Sequence, residues 1–459
     1  MKKHTYRTVG LQDVRVAEIL PLLSEGCLVA IDVAKQRIVV ALATSTGDVV
    51  KLFRFEHPTE TRSFLELVTM LASSVGPGRL KIAMEPTGTY GDALRYQLGT
   101  ALRLPVIMLS PKRTHDSQAI FDGVSSLHDP KSAVLIAKLC AMQLGNEWQA
   151  PEPWRMQLRA LVERRRHQRE FEERCQGRLE ALLARHWPEF GRWLDAREQK
   201  SALELLIEFG GPAEVHERKQ EARAFLHRAS RGRFSAELCD GVVSEAGATL
   251  GQPMLSEERE HLSALAREAR KALQDAEMLE EKMHELGRSS SAFVALEQWM
   301  GTWTAAVLVT LCNPSQYASA SQLEKACGLN VREKSSGEHK GRLSITKRGP
   351  GLVRQVLYLF ALRAIQQRPA VRAWYERRQG YTSESKKRAV IAVMRKLIRA
   401  AFHVAKSEPF EEAKLFDLRR LKVDGAQENQ AKKRPKQRTQ ARTIARGTKR
   451  EREMMSARN

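Results

Sequence analysis

Three carboxylates stand in settings suited to chemistry on phosphate. Asp32 lies in A-I-D-V-A-K, within an apolar strand. An acid in the middle of such a strand is costly unless it is paired or meets a metal. Glu85 lies in I-A-M-E-P-T-G-T-Y-G, at the end of a buried strand and just before a Pro-Thr-Gly turn. Strand ends are where α/β sheets present ligands. Asp129, in S-S-L-H-D-P-K-S-A, reads as a helix N-cap with Pro130 at the first helical position. The helix is predicted over Lys131–Leu144. Acids that converge at one sheet edge would hold Mg²⁺, because hard divalent cations take oxygen ligands. Two such ions can clamp the attacking and leaving oxygens of a phosphoryl transfer. The plainer reading is three unrelated acids: a strand-end Asp, a turn Glu and a helix cap.

The elements that must position these acids are legible in outline. Cys27–Val33, Arg37–Ala43, Val49–Phe55, Leu80–Met84 and Leu104–Leu109 read as strands. Helical patterns lie at Glu60–Ser73 and Gly91–Leu98. Strands in a meander, followed by strands alternating with helices, predict a mixed sheet covered by helices. Residues 150–290 are charged and helical. A heptad runs through Leu262–Leu286, with a positions Leu262, Ala269, Ala276 and Met283 and d positions Leu265, Ala272, Leu279 and Leu286. Gly287 is placed to stop that helix. The seam serves either a hairpin within one chain or a dimer. The block Arg164, Arg165, Arg166 and Arg169 reads as a solvated face or as a nucleic-acid contact. Beyond it come a helix–turn–helix-like stretch at Phe293–Leu311 and helices at Gln322–Leu329, Leu352–Gln367 and Val390–Ala405. The polar loop Arg332–Lys347 lies among them.

The chain has 459 residues, enough for two or three domains. Its net charge is +22 and its pI near 9.9. That excludes an acidic or neutral metabolic enzyme as the default and favours a polyanionic partner. No apolar run approaches the ~18–20 residues of a membrane span, and the basic N-terminus has no apolar signal core. Six scattered cysteines without a C-x-x-C pair predict reduced thiols and no structural zinc. No Walker A pattern is present, so ATP dependence is not expected. The residues after Arg419 lack apolar periodicity and are strongly basic, which predicts a disordered tail that binds nucleic acid nonspecifically.

The order I-D-V-A-K, M-E-P-T-G-T-Y-G, H-D-P-K-S-A resembles the RuvC-like domain of the DEDD transposases of the insertion sequence 110 family, which includes the Piv/MooV invertases. The later blocks M-G-T-W-T-A-A-V-L-V-T-L, A-C-G-L-N-V-R-E-K-S-S-G-E-H-K-G-R-L-S-I-T-K-R-G and L-V-R-Q-V-L-Y are similar to that family's C-terminal domain. The two regions cover about half the chain, in the family's order. The resemblance implies an α/β RNase H-like (RuvC-like) domain at 27–149 after an N-terminal extension at 1–26. It implies a helical coiled-coil arm at 150–290, a mostly α C-terminal transposase domain at 291–410 and a basic, disordered tail at 411–459. It implies Mg²⁺ or Mn²⁺ on Asp32, Glu85 and Asp129, and a serine nucleophile that forms a covalent link to DNA. By motif that serine is Ser336, with Ser335 as the fallback. Lys334, Lys340, Arg342, Lys347 and Arg348 surround it and suit a scissile phosphate. A hydroxyl needs a base or a metal to become a nucleophile; the plain alternative is a Ser-Ser-Gly surface turn. The resemblance further implies donor and target DNA, a noncoding bridge RNA, a homodimer or homotetramer with composite sites, and a cytoplasmic, nucleoid-associated prokaryotic setting without membrane.

Three departures stand out. The family's fourth acid is Ser132 here, which adds no negative charge. The second Gly of the family's Gly-Ile-Gly turn is Trp303, which cannot take an unstrained positive φ as Gly can; it reads as core packing or as an altered phosphate contact. The basic tail is longer than the family's core needs. Two other functions remain open: a Holliday-junction-resolvase-like metal nuclease, in which water attacks, and a catalytically degenerate nucleic-acid-binding protein.

Overall fold

The computed structural model describes residues 6–86, 88–197, 199–333, 343–408 and 411–420. Two compact units meet in sequence at Glu152/Pro153.

The first unit is built on seven strands. They are β1 (Val9–Gly10), β2 (Cys27–Asp32), β3 (Arg37–Thr44), β4 (Val49–Glu56), β5 (Leu80–Met84), β6 (Val106–Met108) and β7 (Asn146–Glu147). Their spatial order is β1-β4-β3-β2-β5-β6-β7. The β2–β3–β4 meander is antiparallel, whereas β5 joins β2, and β6 joins β5, in parallel. This mixed sheet is consistent with the RuvC-like expectation.

Strand alternation decides which helix each residue meets. Val29, Ile31, Ile38, Val40, Ile82 and Met84 share a core with Phe64, Val68 and Leu71 of α1 (Thr61–Val75). The chain then runs through α2 (Pro111–Asp116) to α3 (Asp129–Ala141). Leu28, Ala30, Ala41 and Ala83 lie on the opposite face and pack on Ala133, Ile136 and Ala137 of α3. The small residues on both sides let α3 approach the sheet closely.

The second unit is helical. α4 (Pro153–His186) and α5 (Ser256–Gly287) run antiparallel. Arg165 Nε lies 3.5 Å from Glu280 Oε1, and Arg185 Nη1 lies 3.2 Å from Glu258 Oε1. Of the eight predicted seam residues, all but the half-buried Leu286 are buried. Short helices between α4 and α5 close a core around Leu179, Leu206 and Leu265. A further core gathers α6 (Ser291–Met300), α7 (Thr302–Leu311), α8 (Ala320–Ala326), α9 (Gly351–Gln367), α10 (Pro369–Arg378) and α11 (Ser383–Ala405). The strands β8 (Val331–Arg332) and β9 (Ser344–Ile345) form a short hairpin between α8 and α9. α7 is apolar around nearly its whole circumference and is correspondingly buried.

Several expectations are corrected here. Asp32 ends its strand rather than sitting inside it. The cap of α3 is His128, whose ring accepts from the Lys131 amide, and Asp129 is the first helical residue. The side chain of His128 can reach that amide, so the cap falls one residue earlier. In the α6–α7 turn it is Gly301 that takes the positive φ, 86°, while Trp303 is helical and half-buried against the core, in keeping with the core-packing reading. The predicted tail at 411–459 starts too early: Phe416 is buried against Trp374, and Arg368 bonds Glu412 at 2.6 Å. An aromatic spaced from the basic run was the available signal. The remainder of the tail, from residue 421, lies outside the described residues.

Candidate catalytic site

Residue parity brings the acids toward one face. Asp32 follows Leu28 and Ala30 in alternation, and Glu85 follows Ala83, so both belong to the α3 side of the sheet. The parallel register pairs Ile31 with Met84, which puts the two acids one step beyond the last paired residues of neighbouring strands. Asp129 and Ser132 occupy the first turn of α3, where the helix N-terminus favours an anion.

The electrostatics follow from this arrangement. Burial pushes the Asp32 carboxyl up to about 7, and the charges of Asp129 and Glu85 add to the rise. A hydrogen bond from the Ser132 hydroxyl opposes it. Burial also raises Glu85, while the Thr114 hydroxyl of α2 beside it favours the charged form. That contact falls short of a well-formed hydrogen bond, since Glu85 Oε1 and Thr114 Oγ1 are both buried without a partner. A carboxylate oxygen left bare in this way fits a hard cation, as does an all-oxygen donor set. Among the described residues, however, no three His, Cys, Asp or Glu side chains are gathered closely enough to hold one.

Two further acids, Asp116 and Asp122, lie between Glu85 and Asp129 in the sequence. Asp116 is exposed and held by Lys112 Nζ at 3.1 Å. Asp122 accepts from Lys131 Nζ at 2.9 Å, from Tyr6 Oη at 2.7 Å and from the Val124 amide at 3.0 Å. These bonds, that of Lys131 foremost, hold Asp122 well below the usual carboxylate range. Thr114, Lys131 and Tyr6 were all missed from the sequence. A lysine in the first turn of a helix gives no sign that it is buried, and Tyr6 is remote in sequence.

The loop with the serines is only partly described. Lys334, Ser335, Ser336, Lys340 and Arg342 lie outside the described residues. Its base is well defined. The Lys347 amide donates to Gly328 O at 3.0 Å, and Thr346 N donates to Asn330 O at 2.9 Å. Gly328 has φ +69°, and a Cβ there would stand 2.7 Å from the Arg348 nitrogen, so no other residue fits without a shift. Lys347 and Arg348 are exposed at this base. In the arginine block, Arg165 bonds Glu172, Arg166 bonds Glu163 and Glu170, and Arg169 bonds Glu173. Those cations are largely matched within α4.

A mixed sheet with acids at neighbouring parallel strand ends, joined in one chain to a helical unit, is consistent with a DEDD-type transposase. Residues 29–188 match a family model of the DEDD transposases of the IS110 group, described as Transposase. Residues 300–376 match one described as Transposase IS116/IS110/IS902 family. Together the two spans cover just over half of the 459 residues, and the chain belongs to this family of insertion-sequence transposases. It is therefore a DNA-cleaving and recombining enzyme, with a catalytic domain of a type that suggests divalent metal use. No curated protein matches the chain. Among the described residues, no helix is long and apolar enough to cross a membrane.

Proposed function

We propose that this transposase cuts and rejoins the DNA of its own element through Ser336, with Asp32, Glu85 and Asp129 holding Mg²⁺ or Mn²⁺. One observation carries the reading: Asp32 and Glu85 leave neighbouring parallel strands one step past the Ile31–Met84 pair, on the sheet face covered by α3, whose first turn holds Asp129. The cation would offset their repulsion and polarise the phosphoryl oxygens. Ser132, in place of a fourth acid, contributes a hydrogen bond that orients Asp32. The Ser336 oxygen bonds to the phosphorus of the scissile phosphodiester as its hydroxyl proton passes to solvent water, which in turn protonates the leaving oxygen. The deoxyribose oxygen leaves with the electron pair of the broken P–O bond. Lys347 and Arg348, exposed beside that loop, neutralise the phosphate. A structured bridge RNA selects donor and target, and the working unit is a homodimer or homotetramer in which α4 and α5 form a coiled-coil arm.

The test is a denaturing gel with labelled element-junction DNA, Mg²⁺ and RNA transcribed from the element's flanks. A protein–DNA adduct should form with wild type and with Ser335→Ala, and vanish in Ser336→Ala and Asp32→Ala. Cleavage that persists in Ser336→Ala without an adduct would transfer the attack to water, as in a resolvase.

A further inference from the structure

Lys131 is only 2% exposed, yet it lies in the first turn of α3 between Asp129 and Ser132. A cation there is doubly disfavoured, by desolvation and by the positive end of the helix dipole. Its ammonium is satisfied from outside the helix, by Asp122 Oδ1 at 2.9 Å and the Val124 carbonyl at 2.6 Å. The other oxygen of Asp122 takes the Tyr6 hydroxyl at 2.7 Å. The Tyr6 ring also meets the His128 ring edge-on, with centroids 5.0 Å apart. His128 caps α3 through the Lys131 amide, and its carbonyl accepts from the Ser132 amide at 2.9 Å. Tyr6 thus touches both the acid that neutralises Lys131 and the residue that caps the helix. It belongs to the segment before β2, which β1 fastens to the edge of β4. Between these anchors, residues 118–128 are largely exposed, with Ile120 68% and Leu127 43% accessible. The loop is further tied by the Lys138 ammonium over the Phe121 ring, 4.6 Å from its centroid, and by the Gly123 amide donating to Ala119 O at 3.0 Å.

We infer that Tyr6, Asp122 and Lys131 form a latch that sets the first turn of α3, and with it Asp129 and Ser132, making Tyr6 a positioning residue for DNA cleavage. The inference rests on Asp129 serving the site as proposed above. A hydrogen bond to an ionised acceptor is worth roughly a factor of ten or more in an open–closed equilibrium. A reacting group misplaced by ~1 Å can cost about a hundredfold in rate.

The experiment compares wild type, Tyr6→Phe, Lys131→Met, Lys131→Arg and Asp129→Ala by two readouts. Hydrogen exchange over residues 117–133 reads the latch alone. Strand cleavage, taken as a rate at saturating DNA over a Mg²⁺ series, reads its consequence. Tyr6→Phe keeps the ring and should fold. It should lose about tenfold or more of the protection at 117–133 and need more Mg²⁺ for half-maximal rate, at unchanged DNA affinity. Lys131→Met should do the same more strongly, and Lys131→Arg should restore part of both. Unchanged exchange in Tyr6→Phe overturns the latch. Raised exchange with an unaltered rate and Mg²⁺ dependence reduces it to a structural tie and overturns the positioning role. Full cleavage by Asp129→Ala, beside slowed Tyr6→Phe, overturns the assignment of Asp129 rather than the latch.

Discussion

Asp32 carries its proton to about pH 7 because burial and two neighbouring carboxylates oppose its charge. This has a sign that can be checked. Between about pH 4 and pH 7 the folded chain binds more protons at this site than the unfolded chain, so stability falls as pH rises. The penalty is absent below the ordinary carboxyl value and complete above the folded one. The shift corresponds to at most roughly 4 kcal/mol. In EDTA, Asp32→Asn should therefore raise the urea midpoint at about pH 8, with the gain shrinking toward about pH 5. Mg²⁺ should stabilise wild type and leave the variant where it was. A variant less stable than wild type at the higher pH would contradict this account. At this scale the sequence offered the acids and hid their supports. Asp32, Glu85 and Asp129 stand next to motifs that mark strand ends and a helix start. The hydroxyl of Thr114 and the ammonium of Lys131 act through burial, which a single chain of letters does not display.

At the scale of elements, alternation and heptads were the readable signals. Arg37–Thr44 forms the strand its β-branched run predicts, Leu80–Met84 forms the expected buried strand, and parity then assigns each acid to the α3 side. Boundaries were less legible, because caps are settled by local hydrogen bonds. His128 won over Asp129 as the cap because its ring reached an amide. The α5 seam illustrates a different limit. Its period shows which residues are covered but not what covers them, so a hairpin and a dimer fit the letters equally. The structure lays that seam along α4 of the same chain, with Gln168 Nε2 reaching the Ala272 carbonyl. Ala272 is 1% exposed and its small side chain permits the close approach. Ala272→Leu should cost about 1–3 kcal/mol by overpacking, measured as a lower urea midpoint. A neutral or stabilised Ala272→Leu would mean that the interhelical space is looser than its burial indicates.

At the scale of the molecule, the charge of +22 is unevenly placed. Residues 421–459 alone hold 12 Lys/Arg against 4 Asp/Glu, whereas Arg165, Arg166 and Arg169 of α4 pair with nearby glutamates. Each phosphate contact adds about −0.9 to the slope of log affinity against log salt on duplex DNA. Removing 421–459 should make that slope shallower by several units and weaken nonspecific binding, while the cleavage chemistry on saturating DNA persists. Equal slopes for the full and shortened chains would place the contacts elsewhere. A last consequence concerns α4. Leu158 and Val162 near its start belong to the core of α6–α11, whereas Cys175, Leu179 and Leu183 belong to the core of the short helices. One rod thus keys into two separate locks. Each residue on it advances about 1.5 Å and turns about 100°. Deleting a single residue between Val162 and Cys175 would leave one lock engaged and swing the other key out of its slot. The length of that stretch is counted in whole residues, and α5 would have to change its own length in step.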